Sequence, residues 1–488
     1  MYNEFISTVT GFASLEYFYP MIALGIAGFI LLFAGIFSGS KKLFSAIASV
    51  SLVISMILLL IIPEVQKYVL FRSIEFNDFG LYFSILFIIS ALYVTIPALR
   101  NIEKKGEIFY ALLLFVTTGM LVAAFSMNLI ILFVAFESVS IGTYVMTGFH
   151  KTRRTLEASA KYFFTGAVST SFIIFGLAFF FQATGTFYLL PVYNIVSGQA
   201  LLISLIFLTI GFGFKLAIFP MHQWAIDTYD GAENSVSAFL STGSKLLAFM
   251  IMLKVFIIGF QYIGEDVFIL FSILAILTMT YGNLSALSQN NIKRLFAYSS
   301  VAQAGYLILV FSITSYDVWT NGSYTIVATY AVTAALIYSL IYIFMKGGAF
   351  LSMNAFRKDG PEISDLSGLS KKSPALALSL SILLLALAGI PFTGGFTGKF
   401  YMFLYLVQGN LWWLAIIAIL NSAISVFYYL KVIMYMYWKK PEGEDKFIIS
   451  PATVIPVVIS AIIVIVLFFS FYIFNIFYTA ATALMGVF

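Results

Sequence analysis

The sequence predicts an all-α polytopic membrane protein with about fourteen transmembrane helices. Of its 488 residues, 61% are hydrophobic and 10% charged, and the mean hydropathy is +1.02, a balance foreign to soluble domains. The apolar residues form continuous runs of about 20 rather than alternating, so the spans are helices and not barrel strands. Gly/Pro-interrupted runs recur in the two halves of the chain, as they do in inverted-repeat transporters.

The first three runs, 17–37, 42–62 and 76–98, make an N-terminal unit, 1–106. It is preceded by MYNEFISTVTGF, which has neither a basic n-region nor a cleavage site, so no cleaved signal peptide is expected. Spans 4 to 6 (107–125, 127–147, 159–182) are plain except for Glu137, the one acid at the centre of a span. Span 7 (199–222) is interrupted by GFGFKLAIFP and carries Lys215; span 8 (234–258) carries Lys245 after STGS. Spans 9 and 10 (267–286, 294–313) are plain. Span 11 (325–355) ends in MKGGAF and span 12 (374–405) contains LAGIPFTGGFTGKF. Both are long for simple crossings, and Gly and Pro at membrane depth predict broken or bent helices. Spans 13 and 14 (410–437, 451–478) complete the count, with 438–488 as a C-terminal unit. The pairing expected is spans 4–8 with spans 9–13, two inverted five-helix repeats within a core of 107–437, discontinuous at helices 7 and 12.

Basic residues in the loops set the orientation. Odd loops hold Lys41, Lys42, Arg100, Lys104, Lys105, Lys151, Arg153, Arg154, Lys293, Arg294, Arg357, Lys358, Lys371, Lys372, Lys439, Lys440 and Lys446; even loops hold only Lys67 and Arg72. Odd loops are therefore expected in the cytoplasm and both termini on the outer side of the cell (inner) membrane. Loop 7 departs from the pattern, being acidic through Asp227, Asp230 and Glu233. The net charge of +5 reflects these loops and implies no nucleic acid. There is no cysteine, which excludes disulfides and thiolate-ligated clusters, and two histidines, His150 and His222, leave little for a haem or metal site.

Lys161, Lys215, Lys245, Lys254, Lys346, Lys399 and Lys431 fall within or at the ends of spans. A cation at the bilayer centre costs about 2.5–3.5 kcal/mol on insertion scales, so each needs a reason. A proton path is one: burial brings a lysine and a glutamate into the range where both exchange protons. The bland readings are a helix-joining polar contact for Glu137, a counter-charge to it for Lys215, a structural role for Lys245 or Lys346, and snorkelling for Lys399 if its helix is straight. Snorkelling is the better reading for Lys254 and Lys431. Lys161 pairs first with Glu157 at i−4. His222 either relays a proton or caps the break; His150, before KTRR, is read as interfacial. The many tyrosines are expected to face lipid or pack the bundle.

Several segments carry a resemblance: LFVAFESVSIGTYVMTGF, LEASAKYFFTGAVSTSFIIFGLAFFFQATGT, the Gly211–Phe249 stretch, GNLSALSQNNIKRLFAYSSVAQAGYLI, LSGLSKKSPALALSLSILLLALAGIPFTGGFTGKFYMF and NSAISVFYYLKVIMYMY. Over roughly 107–437 the chain resembles the antiporter-like membrane subunits of respiratory complex I (NADH-quinone oxidoreductase). ATGT, AFLSTGSK and AYSSVAQAGYL favour the subunit-N branch. The resemblance implies fourteen helices, two inverted repeats and discontinuous helices 7 and 12. It implies that Glu137, Lys215, Lys245 and Lys399 match the lysines and glutamate of a proton path, with His222 in the motif after the first break beside Trp224 and Asp227. Helix 12 departs from the usual PP pair with GIPFTGGF, and MKGGAF replaces a segment closer to MNLGAF, which makes Lys346 a further relay candidate.

The expected function is a proton-translocating membrane-arm subunit of a quinone oxidoreductase, entered near Lys245, crossed through Lys215 and left through Lys399. No cofactor is expected in this chain; quinone, iron–sulfur and flavin centres belong to partner subunits, the other members of the arm. A multi-subunit cation/proton antiporter, a non-pumping structural spacer and a small-solute transporter are the alternatives.

Overall fold

The computed structural model describes residues 15–62, 67–69, 73–102, 105–189, 195–357, 360–440 and 447–486. Arg72, Lys104, Lys358, Lys446 and all of MYNEFISTVTGF lie outside them, as does the side chain of Lys67.

Helices α1 (Tyr19–Phe37) and α2 (Lys41–Ile61) lead to a hairpin of β1 (Lys67–Val69) and β2 (Ile74–Phe76), which the sequence reading missed. Then come α3 (Asp78–Asn101), α4 (Gly106–Phe125), α5 (Leu129–Thr147) and α6 (Arg153–Thr184). Span 7 is split into α7 (Gly198–Leu216) and α8 (Gln223–Gly231). Span 8 is α9 (Asn234–Gly259). Next are α10 (Gly264–Leu287), α11 (Ile292–Asn321) and α12 (Ile326–Ser352). Span 12 is split into α13 (Pro374–Ala388) and α14 (Gly394–Gln408); α15 (Trp412–Trp438), α16 (Pro451–Val466) and α17 (Phe474–Met485) follow. Among the described residues thirteen helices are long and apolar enough to cross a membrane, and the halves of span 12 supply the fourteenth crossing. α6 begins six residues before expectation because Thr152 and Thr155 cap one another's backbone there.

Contacts between loops sort them into two faces. On one, Arg100 (loop 3) donates to the Ile448 carbonyl (loop 13), Arg154 (loop 5) pairs with Asp230 (loop 7) at 2.7 Å, and Arg294 (loop 9) pairs with Asp227 at 3.2 Å. Loops 9 and 11 meet through Ile292 N–H to the Pro361 carbonyl. On the other face, Met127 (loop 4) donates to Ser73 (loop 2), and Asn128 bridges Tyr188 (loop 6). Odd and even loops separate as an alternating fourteen-span chain requires. The acidic loop 7 is accounted for: its carboxylates answer the arginines of loops 5 and 9.

Five helices per repeat is an odd number, so the second repeat starts from the opposite face and is inverted. The two breaks share one backbone device. α7 ends with Ala217 left-handed at φ +60°, the Ile218 N–H reaching back to the Gly213 carbonyl at 2.9 Å. α13 ends with Gly389 at φ +83°, the Ile390 N–H reaching the Leu385 carbonyl at 3.0 Å. Both are Schellman ends, a turn that stops a helix while satisfying its last carbonyls, and a proline follows each within three residues.

Span 11 corrects the expectation of a bend at MKGGAF: α12 runs unbroken through it. Its glycines serve close packing, since a Cβ on Gly347 would sit 2.7 Å from the Tyr93 ring and one on Gly348 2.5 Å from Leu383. Span 8, expected to be regular, holds a π-helical turn at Leu240–Ser244 directly before Lys245. The extra residue in that turn re-aims the side chains that follow it.

Glu75 of β2 is half-buried, and burial pushes its carboxyl above the ordinary 4.5, with Lys254 and Asn77 offsetting part of the shift. A raised carboxyl binds its proton more tightly in the folded chain, so its contribution favours folding at low pH and is lost as pH climbs from 4.5 through the raised value. Glu75→Gln is expected to flatten that part of the stability profile. Thermal melting of the solubilised protein between about pH 4 and 8 checks it; an unaltered slope sinks the assignment.

Candidate proton path

Among the described residues six lysines are buried: Lys215, Lys245 and Lys254 at 1% exposure, Lys346 at 0%, Lys399 at 3%, and Lys293 at 3% near the odd-loop end of α11. Four of them lie along a line of hydroxyl and amide groups that runs through both breaks.

Lys215 sits in the last turn of α7, carried there by the break. Its ammonium donates to Ser140 Oγ and Thr143 Oγ1 of α5, each at 3.2 Å, and lies over the Tyr162 ring at 4.9 Å and the Tyr144 ring at 5.4 Å. Thr143 in turn contacts the Tyr162 hydroxyl at 3.3 Å. Tyr162 stacks flat on Trp224 at 4.3 Å, and Trp224 Nε1 donates to the Phe214 carbonyl at 2.6 Å, which caps α7 from across the break. Glu137 is half-buried and accepts from Thr170 Oγ1 at 2.9 Å. No described hydrogen bond or ion pair joins Lys215 to Glu137.

Lys245 donates to the Ser300 carbonyl at 2.6 Å and Ser300 Oγ at 2.9 Å, and Ser300 Oγ meets the Tyr342 hydroxyl at 2.8 Å. Lys346 donates to the adjacent Ser299 Oγ at 2.8 Å. One serine pair on α11 thus holds two lysine side chains from two helices. Ser299 continues to the Tyr429 hydroxyl of α15; Tyr429 packs on Tyr428 at 4.4 Å, and Tyr428 donates to Asn283 Oδ1 at 3.0 Å.

Lys399 lies one turn into α14 and reaches back across the second break. It donates to the Leu387 carbonyl at 2.9 Å and to Ser422 Oγ at 3.1 Å, with its ammonium 4.4 Å from the Tyr306 ring centre. A cation belongs at such a helix C-terminus, where the last carbonyls collect partial negative charge. Gln303 shares the Leu387 carbonyl at 2.9 Å and accepts from the Tyr338 hydroxyl.

The order of lysines is therefore 215, 245, 346, 399. Lys245 stands between Lys215 and Lys346 in this order, and Lys399 is buried by the break that a straight helix would have denied it. His222 is 2% exposed, packs on Tyr281 at 4.5 Å, and leaves Nδ1 without a partner among the described residues. It sits at the N-cap of α8 but makes no side-chain cap. Lys254 corrects the snorkelling reading: it donates to the Ala124 and Ser126 carbonyls at the end of α4, fully out of solvent. Lys431 does extend to the surface, touching Asn290 at 3.4 Å. Lys161 pairs with Glu157 at 2.9 Å as expected and with Asp227 at 3.0 Å. His150 lines a polar cavity of about 550 Å³ on the odd-loop face together with Arg100, Arg154, Asp230, Glu233 and Lys293.

Sequence reasoning missed the groups between the lysines and assigned the tyrosines to packing and lipid. Their signal was present: Tyr338, Tyr342 and Lys346 recur every fourth residue on α12, and Ser299, Gln303 and Tyr306 follow helical spacing on α11. A polar stripe at that period inside an apolar helix marks an interior seam.

The family model described as NADH:quinone oxidoreductase/Mrp antiporter, TM, matches residues 126–425. The chain belongs to that family. It is 36% identical over 465 residues to F(420)H(2) dehydrogenase subunit N of Methanosarcina mazei, covering 90% of this chain and 92% of the relative. It is 38% identical over 404 residues to NADH-quinone oxidoreductase subunit N of Trichlorobacter lovleyi, covering 80% of each. A chain of respiratory complex I from Thermus thermophilus, solved with bound aureothin, superposes with a TM-score of 0.79 at 27% identity over 92% of this chain and 97% of that one. The family match spans both breaks and holds Glu137, Lys215, Lys245, Lys346 and Lys399.

Proposed function

We propose that this chain is the proton-translocating membrane-arm subunit of a complex I-type quinone oxidoreductase. One observation carries the proposal: four buried lysines from four different helices are strung on hydroxyl groups through two helix breaks. A structural spacer gains nothing from burying so many cations with so few counter-ions, each at about 2.5–3.5 kcal/mol of insertion cost. Protons move along the line Lys215, Lys245, Lys346, Lys399, with Glu137 setting the charge of the first lysine from outside the line. The chain, lacking cysteine, offers no thiolate to an iron–sulfur cluster; flavin, clusters and quinone belong to the partner subunits, whose electron transfer shifts the charge at one end of the line. The donor is likewise set by the partners, since relatives of this chain carry names with NADH and with F(420)H(2). The basic odd-loop face lies in the cytoplasm, both termini lie outside, and the polar cavity beside His150 opens on the uptake side.

The family description also names Mrp antiporters, so sodium is the discriminating ion. Quinone reduction by the assembled complex in sealed vesicles is expected to move protons in sodium-free medium. Proton movement that needs sodium assigns the chain to antiport instead and overturns the proposal.

A further inference from the structure

The line has two gaps, and each holds one buried tyrosine. No described hydrogen bond passes from Tyr162, beside Lys215, to Ser300, beside Lys245. Tyr229 of α8 lies there, 0% exposed, its ring held edge-on by Trp224 at 5.8 Å and Phe350 at 5.6 Å. Its hydroxyl interacts loosely with Ser300 and lies near the phenols of Tyr162 and Tyr342, yet it reaches no partner at full hydrogen-bond geometry among the described residues. Ser244 Oγ, facing Tyr162, likewise reaches no partner at full geometry there. The second gap separates the Tyr429–Tyr428–Asn283 group from Lys399. Tyr306 of α11 lies in it, 1% exposed, facing Asn283, Tyr429 and Ser422, with its ring against the Lys399 ammonium. Its hydroxyl too interacts only loosely, with Asn283 and Ser422, and reaches no partner at full hydrogen-bond geometry among the described residues.

Buried hydroxyls are nearly always satisfied, and those that are not call for an explanation. Packing alone does not supply one, since phenylalanine would fill both places without burying a loosely held oxygen. We propose that Tyr229 relays protons between Lys215 and Lys245, and that Tyr306 relays them between the Lys346 cluster and Lys399. In each transfer the phenol oxygen takes a proton on its lone pair from one neighbour while its own O–H proton leaves to the other. The residue ends neutral, and rotation about the C–O bond resets it. A hydroxyl held this loosely turns both ways, whereas one fixed by a full hydrogen bond would first have to break it. The proposal rests on the proton-path reading above.

The test is Tyr229→Phe and Tyr306→Phe in the assembled complex, with proton movement and quinone reduction followed together in H₂O and D₂O. Phenylalanine keeps the ring and removes no hydrogen bond of full geometry, so assembly and melting temperature are expected to stay at the wild-type level. Coupled proton movement is expected to fall at least about threefold in either variant, with a larger solvent isotope effect on the residual rate. Tyr324→Phe is the control, because that buried phenol donates to the Ile257 carbonyl away from the line. Wild-type pumping and isotope effect in both relay variants, or an equal loss in Tyr324→Phe, overturns the relay. Lys399→Met run alongside separates the two levels. If it stops pumping while the phenylalanine variants do not, the relay fails and the path reading stands; if none of the three has an effect, the path reading fails with it.

Discussion

Replacing Lys215 with methionine is expected to lower coupled proton movement by at least an order of magnitude while the subunit still assembles. Both halves of that expectation follow from the site. Among the described residues Lys215 is the lysine that donates to Ser140 and Thr143, so without it the line loses its first member. Assembly survives because methionine is unbranched and of similar length, so it avoids the about 2–5 kcal/mol cavity cost of a large-to-alanine change. It also removes the cost of holding an ammonium at membrane depth. Lys215→Arg sharpens the result. Arginine keeps the positive charge but does not give up its proton in proteins. A lysine serving only as a counter-charge to Glu137 tolerates that change; a lysine that hands on protons does not. Pumping in sealed vesicles is therefore expected to fail in both variants, and an arginine variant that pumps normally would falsify the carrier role.

Gly395→Ala is expected to prevent stable incorporation of the subunit. A Cβ at Gly395 would lie 1.9 Å from the Ala386 carbonyl oxygen and 2.6 Å from its carbon. That carbonyl cannot swing away, because it accepts the Gly389 N–H at 2.9 Å in the turn that ends α13. Overpacking in a filled core costs typically about 1–3 kcal/mol, and here the obstacle is backbone, so the clash is relieved only by moving α14 off α13. Lys399 is one turn further along α14 and would leave the Leu387 carbonyl with it. The amount of intact complex on native gels, with its melting temperature, measures the effect. Gly39→Ala, where an added Cβ meets nothing within 4 Å, is the comparison expected to behave as wild type. Normal assembly of Gly395→Ala would show that the two half-helices are not held at this distance.

The parts of this protein that could be read from the chain alone are those governed by local rules. Hydropathy located all fourteen spans to within a few residues at most ends, because a helix that crosses lipid must satisfy its own backbone and hide it behind apolar side chains. Glycine with proline at the two breaks was visible for the same reason, since a missing N–H is a property of a few neighbours, whereas the left-handed Ala217 that ends the first half-helix was not. MKGGAF shows the limit. Its glycines read as a bend, but in the fold they admit Tyr93 and Leu383, and whether glycine bends a helix or lets another one approach depends on what lies beside it.

The candidate path was legible as a list of lysines and not as a line. Charge inside an apolar run is conspicuous, so Lys215, Lys245, Lys346 and Lys399 stood out. Lys254 stood out equally and was misread, because burial against the carbonyls of α4 comes from a helix about 130 residues away in sequence. The connecting groups come from α5, α6, α11, α12 and α15, and hydrogen bonds among them span separations that no local pattern encodes. The sequence by itself determined the solvent of this protein, the number of its crossings, the places where helices stop, and which cations must be accounted for. Only the tertiary structure decided which hydroxyls join those cations, in what order they stand, and which tyrosines lie in the gaps. Spans are specified by the free energy of each segment against lipid, whereas a proton line is specified by distances between segments, and those exist only once the helices have packed.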